Sequence, residues 1–163
     1  MATSRPSSRF QTPEQSPGFL LWRTTLAWQR RMRLVLTPHA LTHVQFVLLA
    51  SLWWLEEHDG QPPTQVRLAA QAGTDPMMTS QVIRKLEARG LLERAIDPLD
   101  ARTRRLQMTA RARAGVASAL ADVEAADDDY FAPIGDGRDA FLDALCRLDA
   151  ADRVAGTVVL VDP

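Results

Sequence analysis

Four arginines, Arg94, Arg102, Arg104 and Arg105, crowd into twelve residues, with Asp100 two positions ahead of Arg102. A guanidinium is a planar donor fork that suits phosphates and guanine edges, and the negative potential of a narrow minor groove attracts it. Two short strands with this charge repel each other in isolation, but not along a row of phosphates. A charged sheet edge that deters aggregation is the plainer use of the same residues. A neighbouring helix with its own outward Arg84 and Lys85 favours the phosphates. Asp100 is placed to pair with Arg102 and set its direction, although an exposed pair adds little stability.

Other chemistry finds little support. His39, His43 and His58 are the only histidines, and no acidic residue or cysteine stands at a metal-ligand spacing from them. There is no nucleophile elbow, no glycine-rich phosphate loop and no paired histidine–carboxylate motif, so neither catalysis nor a cofactor or metal is expected. The single cysteine, Cys146, excludes an internal disulfide, fits a reducing cytoplasm and lies on an apolar-patterned stretch where an inert thiol is expected.

The chain has 163 residues, 46% hydrophobic and 24% charged, enough for one packed domain. Its longest apolar runs are short, as at 46–55, too short for a membrane span. Residues 1–17 are polar and rich in Pro and Ser, with no basic-then-apolar leader, and read as a loose arm. The net charge of −1 is unevenly spread: residues 84–113 hold 9 basic and 4 acidic groups, whereas 114–163 hold 3 and 11. A cationic segment thus sits in a chain otherwise near neutral or acidic.

The elements that must carry these residues follow from caps and periodicity. Ser16-Pro17 opens a helix in which Leu21, Thr25, Trp28, Met32 and Val35 recur at helical spacing. Phe19, Trp22 and Leu26 form a second apolar row, so this helix has two surfaces to pack, and Thr37-Pro38 ends it. Thr42 and Gln45 fit a capping box, with Leu41 and Phe46 as its hydrophobic staple, for a helix reaching about His58. Thr64 caps a short helix closed by Gly73. Asp75-Pro76 starts another that Gly90 stops. Two short helices joined by a glycine-containing turn make a helix-turn-helix. Residues 91–96 and 102–108 read as a hairpin about Asp97-Pro98-Leu99-Asp100, with Leu106 and Met108 facing the body. Thr109 caps a long helix ending at Asp127-Asp128-Asp129. A last helix at 137–148 puts Phe141, Leu142, Leu145 and Leu148 on one face.

With Thr79, Val82, Ile83 and Leu86 facing the core, Met77, Met78, Ser80, Gln81, Arg84 and Lys85 project outward. In a major groove Gln pairs with adenine, Arg with guanine, and Met touches thymine methyls. Two outward methionines are poor solubilising residues, which favours a contacting face. The expected DNA contacts are these six residues together with Arg94, Asp100, Arg102, Arg104 and Arg105. A winged-helix module binding a protein instead of an operator is the alternative reading of the same face.

Residues 18–148 resemble the MarR family of bacterial winged-helix transcription regulators. The resemblance rests on 41–46 (LTHVQF), 86–91 (LEARGL), 97–102 (DPLDAR) and Met108-Thr109, in that order and spacing. It implies a mainly α fold with a small β wing, an N-terminal arm at 1–17, a domain at 18–153 and a tail at 154–163. Within the domain it implies a DNA-binding lobe at 41–108 and dimerisation helices at 18–36 and 110–148. It further implies a homodimer on a pseudo-palindromic operator, most simply a repressor, with Arg102 paired to Asp100 and entering the minor groove. At Met77, Met78 and Gln81 the family usually carries small polar residues and an arginine, and Ala112 stands where glycine is usual. The resemblance therefore carries over the fold and not an operator sequence. Members often respond to small aromatic or phenolic ligands bound between the dimer helices and the winged lobe. Trp22, Trp28, His39, His43, Trp53 and Trp54 are the candidates for such a pocket, against the plainer reading of tryptophans as core or dimer contacts.

Overall fold

The computed structural model describes residues 8–159, with side chains described through Arg153. The first seven residues of the expected arm and residues 160–163 of the expected tail lie outside the described residues. The described chain is six α-helices and one two-stranded antiparallel sheet: α1 (Pro17–Leu36), α2 (His43–His58), α3 (Gln65–Ala72), α4 (Pro76–Ala88), β1 (Leu92–Ile96), β2 (Arg104–Met108), α5 (Ala110–Phe131) and α6 (Arg138–Val159). It divides into two compact units, the first ending at Ala126 and the second beginning at Asp127. Among the described residues no single helix is long and apolar enough to cross a membrane.

The helix starts lie where side chains can satisfy the orphan N–H groups of a first turn. Thr42 and Gln45 form the full reciprocal capping box of α2. The Thr64 hydroxyl accepts the Arg67 N–H, the Asp75 carboxylate the Met78 N–H, and the Thr109 hydroxyl the Ala112 N–H. Gly73 closes α3 at φ 62°, in the left-handed region that a glycine enters without steric cost. This permits the tight α3–α4 turn.

In the first unit the core is built by Met32 and Leu36 of α1, Phe46, Leu48, Leu49, Leu52 and Leu55 of α2, Leu68 of α3 and Val82, Ile83 and Leu86 of α4. Leu92, Leu106 and Met108 of the hairpin and Val116, Ala119 and Val123 of α5 complete it. Fully burying each such aliphatic side chain contributes about 2 kcal/mol. The hairpin pairs Leu92 with Met108, Arg94 with Leu106 and Ile96 with Arg104, which turns Leu92, Leu106 and Met108 inward together. Its base is tied to the α2–α3 loop, where the Leu106 N–H donates to the Pro63 carbonyl at 2.8 Å and Thr64 bridges Arg105.

Several boundaries differ from expectation. Strand β2 begins at Arg104 instead of residue 102, because the Thr103 N–H turns back to the Asp100 carbonyl at 2.9 Å. Helix α5 runs through the acidic triplet to Phe131, and α6 extends to Val159. On α1 only Met32 and Leu36 are buried, while Phe19, Leu20, Leu21 and Trp22 stay exposed. In the second unit Phe141, Leu142, Leu145 and Leu148 are exposed as well, and Cys146 is exposed and not enclosed.

Candidate nucleic-acid interface

Helix α4 is amphipathic as its spacing requires. Thr79, Val82, Ile83 and Leu86 are buried, and Met77, Met78, Gln81, Arg84 and Lys85 are exposed. Met77 is 75% exposed and the adjacent Met78 39%, so two methionines stand side by side on this open face. Ser80 is half-buried, and its carbonyl accepts from Arg84 Nε at 3.3 Å. The Thr79 hydroxyl is held at 2.7 Å from both the Asp75 carbonyl and the Thr74 hydroxyl, which locks the turn between α3 and α4.

The expected wing residues do different things. Arg102 is exposed, and its side chain makes no hydrogen bond or ion pair among the described residues. Asp100 meets Arg102 through the main chain and not through the guanidinium. Its carboxylate accepts the Arg102 N–H at 2.9 Å and the Thr103 hydroxyl at 2.8 Å. Asp100 therefore shapes the turn that carries Arg102. Arg104 donates to the Ala101 carbonyl at 2.8 Å and remains exposed. Arg94 Nε donates to Glu87 at 3.0 Å, tying β1 to the end of α4. Arg105 is turned inward to Asp97 and the Pro62 carbonyl.

The two wing carboxylates are held below the usual aspartate range by the donors they face. For Asp97 the main cause is the Leu99 N–H, followed by the Arg105 guanidinium. For Asp100 it is the Arg102 N–H, followed by the Thr103 hydroxyl. Both stay charged and keep the turn closed.

Of the six residues considered for a ligand pocket, Trp28 and His43 meet and the others have separate partners or surroundings. Trp28 meets His43 edge to face at 4.8 Å between ring centres. His39 Nε2 lies 2.7 Å from Asp122. The Trp53 indole N–H donates to Glu57, and Trp54 stacks on His58 at 4.2 Å. Trp22 is 62% exposed. A cavity of about 170 Å³ lies beside His39, between Leu49 of α2, Arg89 and Leu91 after α4, and Arg111 and Val116 of α5. Of the six candidates only His39 lines it.

Sequence reasoning passed over several residues that hold this site. Arg89 joins Gln45 and Ala40, Glu56 joins Arg113 and the Met108 N–H, and Asp97 joins Arg105. Asp97 and Arg105 lie diagonally across the last paired position, Ile96 opposite Arg104, a register that only the folded hairpin fixes. The other two join residues more than forty positions apart, beyond the reach of any local spacing rule.

A helix-turn-helix followed directly by a two-stranded wing, with exposed Met, Gln and Arg on the second helix and an exposed arginine at the wing turn, defines a winged helix-turn-helix, a DNA-binding fold. Residues 41–103 match the MarR family model. Over 125 residues the chain is 44% identical to an uncharacterized HTH-type transcriptional regulator, YdcH, of Bacillus subtilis, covering 77% of this chain and 84% of that one. It is also similar to CouR from Rhodococcus jostii RHA1 bound to p-coumaroyl-CoA, with TM-score 0.73, 29% identity and coverage of 83% of this chain and 93% of that one. The transcriptional repressor CouR bound to a 23-mer DNA duplex matches with TM-score 0.75 and 27% identity, over 88% of this chain and 99% of that one. The chain belongs to the MarR family of transcriptional regulators.

Proposed function

We propose that this regulator is a repressor that occupies a pseudo-palindromic operator as a homodimer and is released by a small aromatic ligand. The observation that carries the DNA reading is the joint presentation, on one winged lobe, of the exposed α4 face and an exposed Arg102 whose side chain has no partner among the described residues. Met77, Met78, Ser80, Gln81, Arg84 and Lys85 read major-groove edges, Ser80 from the margin of the face. Arg102 and Arg104 engage the minor groove and its phosphates. Arg94 and Asp100 hold the wing in shape. The likeness to CouR on its DNA duplex supports this docking.

Two apolar surfaces support the homodimer: Phe19, Leu20, Leu21 and Trp22 on α1, and Phe141, Leu142, Leu145 and Leu148 on α6. Leaving both in water is costly, and a two-fold partner would bury like with like. For the ligand, the similar protein CouR binds p-coumaroyl-CoA. The cavity beside His39 offers an apolar wall with Arg89 and Arg111 at hand. A ligand there acts by favouring one spacing of the two reading helices over another.

The test is duplex selection from a randomised pool, followed by affinity measurement over a salt series. Wild-type chain should bind a recovered palindrome with a steep salt dependence, and the double variant Arg102→Ala, Arg104→Ala should lose most of that affinity. Unchanged affinity in the double variant would overturn the wing assignment. Failure to recover any duplex would overturn the DNA reading in favour of a protein-binding module.

A further inference from the structure

Arg105 is the arginine of the wing that faces away from solvent. Its side chain is 19% exposed, and that of its partner Asp97 is 5% exposed. Two of its nitrogens reach the same carboxylate oxygen of Asp97, Nε at 2.6 Å and Nη2 at 2.5 Å, while Nη1 donates to the Pro62 carbonyl at 3.0 Å. The second Asp97 oxygen accepts the Leu99 N–H at 2.8 Å, and the Asp97 N–H donates to the Thr103 carbonyl at 3.1 Å. Asp97 is thus the residue from which the whole 97–103 turn springs, and Arg105 clamps it to the α2–α3 loop. The groove that Arg105 borders, about 350 Å³ between the loop and the wing, carries one other cation, Arg67, already paired with Asp59 at 3.1 Å. Both arginines that line it are thus already neutralised by carboxylates.

We propose that Arg105 is a positioning residue: clamped between Asp97 and the Pro62 carbonyl, it sets the angle at which the hairpin presents Arg102 and Arg104, and makes no phosphate contact itself. This rests on the reading of the wing as a DNA-binding element. The backbone bond from Leu106 to Pro63 anchors only the inner end of the hairpin. Without the clamp, the turn beyond it is free to swing about that anchor. A wing that samples many angles pays an ordering cost whenever it meets a groove, so affinity falls without the loss of any direct contact.

The experiment uses the full chain, the duplex recovered from a randomised pool by wild type, and the variants Arg105→Met, Asp97→Asn, Arg102→Ala and Arg102→Ala with Arg105→Met. Asn at 97 keeps an acceptor for the Leu99 N–H and removes the charge that Arg105 grips. Arg105→Met and Asp97→Asn should each weaken binding by about tenfold, the scale of one lost directional interaction. In the Arg102→Ala background Arg105→Met should add less than it does in wild type, because only Arg104 is left for it to position. A phosphate-binding Arg105 predicts the opposite pattern. Asp97→Asn would then strengthen binding, and Arg105→Met would lower the salt slope by about 0.9 in either background. That pattern overturns the proposal.

A second measurement needs no DNA. In the free Arg105→Met chain the Asp97 and Leu99 amides should exchange faster while those of α4 stay unchanged. Equal exchange at Asp97 and Leu99 in wild type and variant overturns the clamp. If wild type recovers no duplex, the DNA reading fails, and amide exchange still decides whether Arg105 holds the turn.

Discussion

The Arg89 guanidinium, just past the end of α4, donates at 3.2 Å to the Gln45 side-chain oxygen, which also accepts the Thr42 N–H at 3.1 Å. A second Arg89 nitrogen reaches the Ala40 carbonyl at 2.8 Å, where the chain turns through the left-handed region at φ 53°. One buried carboxamide therefore fixes both the start of α2 and the end of the proposed reading helix, beside the cavity that Arg89 helps to line.

Gln45→Ala should destabilise the fold by about 2 kcal/mol, combining a lost cap with a lost hydrogen bond to a charged group. Urea unfolding of wild type and variant measures this. A shift of the midpoint within error would show that water replaces the carboxamide at no cost.

The Glu56 side chain is 8% exposed, accepting from the Met108 N–H at 2.8 Å and pairing with Arg113. It joins α2 to the end of β2 and the start of α5. Glu56→Ala leaves a backbone donor and a half-exposed guanidinium without their acceptor, and should cost about 3 kcal/mol. Thermal unfolding of the variant checks this. Glu56→Gln, which keeps an acceptor, should lose clearly less.

Acid should loosen the wing. Asp97 and Asp100 have folded-state pKa values below their unfolded ones, the Leu99 and Arg102 N–H groups being the leading causes. Their contribution to stability is therefore fully present above the ordinary aspartate value of about 4, and is lost as pH falls through the depressed values. Melting temperatures should decline below that point, and less steeply in the double variant Asp97→Asn, Asp100→Asn. Parallel declines would assign the acid sensitivity to other carboxylates.

The apolar face of α6 gives a prediction on assembly. Leu142 and Leu148 are 58% and 63% exposed within the chain, and replacing both by Asp should shift the protein from dimer to monomer in sedimentation. Ending the chain after Asp136 should do the same and weaken operator binding. A dimer that survives both changes would move the interface elsewhere.

The helix starts were legible because a cap is a local event. The hydroxyl of Thr42, the carboxylate of Asp75 and the hydroxyl of Thr109 each reach an N–H three residues away, and that distance is written in the chain. The inward row of α4 was legible for a related reason, since 3.6-residue periodicity sorts Thr79, Val82, Ile83 and Leu86 onto one side in any surrounding. The arginines of the wing were read as one group because composition registers charge and not direction. Arg102 and Arg105 have the same chemistry, and only the fold turns one to solvent and the other to Asp97.

What the sequence determined by itself is the winged helix-turn-helix and the cationic stretch that marks its working face, both products of short-range spacing. Tertiary structure alone decided which arginines are left to act. Arg89, Arg94 and Arg105 are bound to Gln45, Glu87 and Asp97, and their partners come within reach only after the chain has folded back on itself. The tryptophans near the first helix junction were dispersed by the same cause. Helical spacing brought Trp54 to His58 and the packing of α1 on α2 brought Trp28 to His43, while the cavity formed between α2, the segment after α4 and α5 and drew its walls from residues that no spacing had linked.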